Sequence, residues 1–137
     1  MPYTEVPHTA DWALRVWADD LPALFCEAAR GMNALAGAVL AAAPRLKVPF
    51  ETSAPDAESL LVAFLTELVY YAEQEHTGFD DFDLDIYRQA DDTYWLRATL
   101  RGARLTKLHK AIKAVTYHGL AIRQTDQGFE TTIVFDV

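Results

Sequence analysis

The apolar residues of this chain follow two different spacings, and the change between them restricts the fold more than any other feature of the sequence. Two stretches have the three- and four-residue spacing of an amphipathic helix, one following Asp20 and the other following Asp56. Elsewhere apolar and polar residues alternate, most clearly where Phe82, Leu84 and Ile86 alternate with three aspartates and Tyr87. Alternation is typical of half-buried strands, so the sequence predicts two long helices and several strands.

Capping and turn residues set the predicted boundaries of these elements. Asp20 suits the start of helix one, which ends between Gly31 and Gly37, and helix two starts within 53–58 and stops before Gly78. The predicted strands cover 12–18, 45–52, 79–87, 94–100, 114–125 and 129–137. This order, β-α-β-α-β-β-β-β, predicts one α+β domain over residues 1–137, with the two helices packed on a curved, mostly antiparallel sheet.

Composition and charge exclude several classes of protein. Hydrophobic residues make up 51% of the chain and charged residues 23%, a balance typical of globular domains. The net charge of −8 disfavours a protein that grips phosphate backbones and favours a basic protein partner. Half of the basic residues lie within 97–113. This cluster forms either a solvated face or a docking surface for a ligand or partner. Since neither a signal peptide nor a membrane span is recognisable, we expect a cytoplasmic protein without membrane contact.

The chain is poor in the usual catalytic motifs. It has no phosphate-binding glycine loop, no His-Glu-x-x-His and no Gly-x-Ser-x-Gly. Its single cysteine, Cys26, excludes an intrachain disulfide, and its place in a helical pattern predicts a small buried residue with no chemical role. The aspartates of 81–85 are predicted to form the solvated face of a strand.

Two carboxylates, Asp11 and Asp136, lie near opposite ends of the sequence. The ends of a small domain often come close together, and Val137 would then add a terminal carboxylate to the two side chains. Such a cluster suits a hard cation, because like charges held together must be hydrated, protonated or neutralised by a metal. On the residues alone, two exposed carboxylates without a ligand remain the alternative.

Three sequence blocks make the whole chain resemble the archease family. They are His-Thr-Ala-Asp at 8–11, Lys-Ala-Val-Thr-Tyr-His at 113–118, and the final Asp136 followed by an aliphatic residue. A fourth stretch, Glu-Leu-Val-Tyr at 67–70, also fits the family, whereas Trp-Ala after the first block replaces a frequent Ile-Gly.

The resemblance implies a protein cofactor rather than an enzyme. Archeases assist the GTP-dependent RNA ligase of tRNA splicing and RNA repair by promoting guanylylation of its active-site histidine and multiple turnover. RNA and GTP would be contacted only through the ligase. By position, the resemblance implies that Asp11, Asp136 and Val137 bind a divalent metal. The expected metal is calcium, and magnesium and manganese are the alternatives.

The remaining polar residues of these blocks receive weaker assignments. His8 and Thr9 are expected to orient the loop that presents Asp11, and Lys113 to contact the ligase or a nearby acid. For His109 and for His118, which is predicted to lie within a strand, functional and structural roles both remain open. Two rival functions also remain open, namely a metal-dependent phosphoester hydrolase and a general chaperone or scaffold with an incidental ion.

Overall fold

The computed structural model describes residues 2–6 and 12–137, and in these ranges two helices combine with strands that pair antiparallel throughout. The helices are α1 (Leu21–Ala36) and α2 (Ala57–Gln74). The strands are β1 (Tyr3–Val6), β2 (Trp12–Ala18), β3 (Val39–Leu40), β4 (Leu46–Ala54), β5 (Thr77–Arg88), β6 (Tyr94–Lys107), β7 (Ala114–Thr116), β8 (Arg123–Thr125) and β9 (Gly128–Asp136). The predicted α+β class, with two helices on antiparallel strands, is confirmed.

Both helices begin at an aspartate that caps the first turn. The Asp20 carboxylate accepts a hydrogen bond from the Ala23 amide at 2.8 Å, and the Asp56 carboxylate accepts one from the Ser59 amide at 2.7 Å. These bonds satisfy amides that have no partner within the helix. Helix α1 ends at Gly37, whose φ of 64° is the left-handed conformation that glycine adopts without a side-chain clash.

The cap of α2 gives a first testable prediction. Replacing Asp56 with alanine removes the acceptor for the Ser59 amide, and we expect the free energy of unfolding to fall by about 1 kcal/mol. Urea denaturation of the wild type and the variant measures the change. Asp56→Asn keeps an acceptor oxygen at the same position and should retain most of the stability; an equal loss in both variants would contradict the capping role.

The strands form two sheets rather than the single curved sheet expected from the sequence. In the described ranges, one sheet has five strands in the order β1-β2-β9-β7, with β8 also paired to β9. The other has four, in the order β3-β6-β4, with β5 also paired to β6. Because β4 and β5 both pair along most of β6, this long strand forms the centre of the second sheet.

The two helices connect the sheets through a shared apolar core. Helix α1 contacts β2 and β9 of the first sheet and β5 of the second, while α2 contacts β7 of the first sheet and β4, β5 and β6 of the second. Phe64 lies at the centre, with its ring 5.9 Å from those of both Phe25 and Phe82. In the part of the chain that is described, no helix is long and apolar enough to cross a membrane.

Several element boundaries differ from the sequence prediction. Helix α2 ends at Gln74 with Glu75 as its cap, so Gly78 is not the stop signal but lies inside β5. A Cβ there would come within 3.0 Å of the Leu40 and Leu105 side chains, so this position favours glycine. Strand β6 extends to Lys107, well beyond the predicted end at position 100. The predicted strand 114–125 is divided into β7 and β8, and the short strands β1 and β3 were not predicted.

Candidate functional site

Strand β9 carries Asp136 to one end of the five-stranded sheet, between β2 and β7. Phe135 pairs with Trp12, and Asp136 pairs with Ala114. The amide of Lys113 donates a hydrogen bond of 2.8 Å to the main-chain oxygen of Asp136. We call Trp12, Lys113, Asp136 and Val137 the Asp136 edge.

The side chains of the Asp136 edge differ in exposure. Asp136 and Lys113 are exposed, whereas Val137 is half-buried and packs against the core. The ammonium of Lys110 lies 5.4 Å from the centre of the Trp12 ring, close enough for a cation–π interaction. An exposed carboxylate at a strand end, beside a residue anchored in the core, is held in place yet accessible to a ligand.

The donor atoms of this edge suit a hard cation. The carboxylate of Asp136 and nearby main-chain oxygens are the ligand types that calcium and magnesium prefer. His8, Thr9 and Asp11 lie outside the described residues, so the predicted three-residue metal site stays a prediction. Within the described ranges, no three His, Cys, Asp or Glu side chains cluster closely enough to hold a metal. The described part of the edge therefore supplies Asp136 and needs further oxygen donors to complete a site.

His109 belongs to the connection that closes the end of α1. The amides of His109 and Lys110 donate to the Ala36 carbonyl at 2.9 and 3.0 Å, and these bonds satisfy an acceptor that the helix leaves open. The His109 Cβ also packs against Gly37, since a Cβ built on that glycine would lie 2.7 Å away. The main chain at His109 thus has a structural role, while its side chain is exposed.

The prediction that His118 lies within a strand is wrong. It occupies an exposed turn after β7, where its amide donates to the Thr116 hydroxyl at 3.3 Å and Gly119 follows with φ of 63°. The chain then passes over α2, and the Ile122 amide donates to the Glu58 carboxylate at 2.9 Å. A continuous strand was predicted here, but the turn at His118 and Gly119 interrupts it, and the Ile122 amide bonds to a helix side chain instead of a neighbouring strand.

Cys26 has the inert character predicted from its helical position. It is half-buried on α1, and burial raises the pKa of its thiol to about 11, with Arg30 opposing the shift. The thiol is therefore protonated at neutral pH, and only the thiolate is an effective nucleophile or metal ligand. This agrees with the assignment of no chemical role.

The aspartates of β5 form the exposed, charged face that the sequence predicted. Arg101 lies 2.8 Å from Asp83 and 3.4 Å from Asp81, and Arg97 lies 3.1 Å from Glu51. Two of the six basic residues in 97–113 are thus paired with acids on neighbouring strands. This favours the interpretation of that part of the basic cluster as a solvated face.

Comparison with known proteins agrees with this architecture of two helices on two antiparallel sheets. The sequence model of the Archease protein family (MTH1598/TM1083) matches residues 3–137. Protein archease of Methanopyrus kandleri is 31% identical over 141 residues, covering 100% of both chains. Protein archease of Pyrococcus furiosus is also 31% identical, over 88% of this chain and 87% of its own length.

A solved structure gives the same result for the fold. The solution structure of Methanobacterium thermoautotrophicum protein 1598 superposes with a TM-score of 0.76 at 25% identity, covering 99% of each chain. The domain is therefore of the α+β class that this structure represents. On the family match over nearly its whole length, the chain belongs to the archease family.

Proposed function

We propose that the protein activates a GTP-dependent RNA ligase of tRNA splicing and RNA repair, and is not itself a ligase. It promotes guanylylation of the ligase histidine and thereby multiple turnover, while RNA and GTP bind to the ligase. The observation that supports this most directly is the match of residues 3–137 to the archease family. The acidic net charge of −8 also suits a basic protein partner better than direct binding to RNA.

The Asp136 edge is the surface of this chain that we assign to the active site of the partner. Its metal ligands are Asp11, Asp136 and Val137, and the ion is calcium, with magnesium or manganese as alternatives. Support comes from the strand pairing, because Trp12, which follows Asp11 in the sequence, pairs with Phe135, which precedes Asp136. When bound, the divalent ion supplies positive charge that stabilises phosphate oxygens.

The residues of the chain itself hold and orient this edge. The Lys113 amide fixes the Asp136 carbonyl, and the apolar side chain of Val137 anchors the end of β9 in the core. His8 and Thr9 orient the loop that carries Asp11, and the exposed ammonium of Lys113 contacts the ligase. Positioning of this kind favours phosphoryl and nucleotidyl transfer because such reactions depend mainly on geometry and charge neutralisation.

A ligation assay under multiple-turnover conditions tests the proposed function. The cognate ligase, GTP and an RNA pair with a 2′,3′-cyclic phosphate and a 5′-hydroxyl are incubated with and without this protein. We expect the protein to raise both the guanylylated fraction of the ligase and the number of RNA molecules joined per ligase. Unchanged guanylylation would contradict the proposal, and phosphoester hydrolysis by the isolated protein would favour the rival enzyme function.

A further inference from the structure

A cavity of about 300 Å³ lies between the C-terminal halves of α1 and α2, the start of β5, the end of β6 and the connection 108–113. We call it the interhelix cavity. Its walls are mostly apolar, with side chains of Met32, Leu68, Val69, Phe79, Leu105 and Ile112. This cavity could not be predicted from the sequence, because these residues come from five separate segments.

Two polar side chains in the wall of the interhelix cavity are hydrogen-bonded to the main chain. The Asn33 side-chain amide donates to the Phe79 carbonyl at 2.7 Å, and the Thr77 hydroxyl donates to the Glu75 carbonyl at 3.0 Å. Throughout the described ranges, no buried side-chain nitrogen or oxygen lacks a partner. Because the wall is mostly apolar and its buried polar side chains are already paired, the affinity of an occupant depends mainly on burying apolar surface.

The mouth of the cavity combines exposed apolar surface with two opposite charges. Leu108 lines the cavity yet remains 37% exposed, and Ala111 beside it is also exposed. Glu73 and Lys113 supply one negative and one positive side chain at the same opening. An apolar pocket with a charged rim is the arrangement found where an anchor residue of a partner protein docks.

The cavity mouth is continuous with the Asp136 edge through Lys113. Lys113 is one of the exposed residues that line the cavity, and its amide donates a hydrogen bond of 2.8 Å to the Asp136 carbonyl. A protein that covers the Asp136 edge therefore passes the opening of the cavity. A volume of about 300 Å³ is at the small end for ligand pockets, which suits one large side chain better than a drug-sized molecule.

The geometry points to the interhelix cavity as the anchor site for one large apolar side chain of the protein that docks on the Asp136 edge. The docking segment carries a basic residue opposite Glu73 and an acidic residue opposite Lys113, so that both rim charges are paired. This inference rests on the proposed function, because it requires a protein partner at that edge. It adds a second contact that is independent of the metal.

Two substitutions that fill the cavity test this inference. Ala72→Leu projects from α2 into the cavity, and Ala111→Leu fills it from the exposed connection, where the fold tolerates a larger side chain. Each variant should weaken binding to the cognate ligase by about tenfold or more, measured by isothermal titration. Thr66→Leu, an exposed position on α2 outside the cavity lining, is the matched control and should bind as the wild type does.

The NMR signal of the Met32 methyl group reports directly on whether the interhelix cavity is occupied. The chain has two methionines, and Met32 lines the cavity, so labelling of the methionine methyl groups places a probe in the cavity within a two-signal spectrum. We expect the Met32 methyl resonance of the wild-type protein to shift when ligase is added, and manganese affinity to be unchanged in the two leucine variants.

The outcomes separate the two proposals. If the wild type does not bind the ligase, the proposed function fails and this inference fails with it. If the wild type binds but both leucine variants bind equally well, or the Met32 resonance does not move, the anchor site alone is overturned. Circular dichroism verifies that each variant is folded; if Ala72→Leu is not, Ala111→Leu and the Met32 signal decide the result.

Discussion

Asp136→Asn is expected to lower the affinity of the protein for calcium or manganese by at least on the order of 10- to 100-fold, because even the loss of a residue that only orients a metal ligand has an effect of this size. The substitution keeps the size and shape of the side chain but removes its negative charge, which provides most of the attraction for a hard cation. Isothermal titration with each metal measures the affinity. Guanylylation of the ligase should fall in parallel if the metal acts in activation.

Asp126→Asn is the matched control for this change. Asp126 lies in the turn that precedes β9, so it is an exposed aspartate at the opposite end of the same strand. Both substitutions remove one negative charge from a protein of net charge −8, and a general electrostatic effect would reduce metal affinity equally in the two variants. Full affinity in Asp136→Asn would contradict the metal assignment. Lost affinity with intact ligase activation would instead favour a scaffold carrying an incidental ion.

Local sequence signals were sufficient to predict the helices. Asp20 and Asp56 each cap a helix, and Gly37 ends α1 in a left-handed conformation. Each of these signals acts within four residues of its partner, so no knowledge of the tertiary structure is needed to interpret it. The α+β class follows in turn, because two amphipathic helices and alternating strands must bury their apolar faces against one another.

Pairings between distant segments could not be predicted in this way. The division into two sheets depends on β9 pairing with β2 and on β6 pairing with both β4 and β5, and alternation does not specify the partner of a strand. The region 114–125 was predicted as one strand. In the structure a turn at His118 and Gly119 interrupts it, and the Ile122 amide donates to the Glu58 carboxylate of α2.

The candidate site also depends on contacts between distant segments and could be predicted only in part. The residues alone suggested that Asp11 and Asp136 could approach each other and suit a hard cation, with exposed carboxylates lacking a ligand as the alternative, and the assignment of a metal came from family resemblance. The structure adds that Trp12 pairs with Phe135, which defines the end of the sheet at which Asp136 lies. The interhelix cavity was not predicted at all, since its wall is formed by segments that come together only in the folded protein.

Gly102→Ala is expected to lower the free energy of unfolding by about 3 kcal/mol, the upper part of the range for overpacking a buried site. Gly102 lies inside β6 and is buried where β5 is bulged between Phe79 and Asp81. A Cβ at this position would overlap the Gly78 carbonyl oxygen and lie 2.8 Å from the Phe79 Cα. These are main-chain atoms, so no change of side-chain rotamer relieves the clash, and β5 and β6 must separate.

Gly119→Ala distinguishes this steric effect from the ordinary loss of a glycine. Gly119 has φ of 63°, but a Cβ there would meet no atom within 4 Å, so alanine suffers only the strain of the left-handed conformation, about 1 kcal/mol. Thermal and urea denaturation of both variants measure the difference. Equal losses would mean that β5 shifts away from Gly102 at little cost. A much larger loss in Gly102→Ala would establish that the approach of the Gly78 carbonyl requires glycine at position 102 of the central strand.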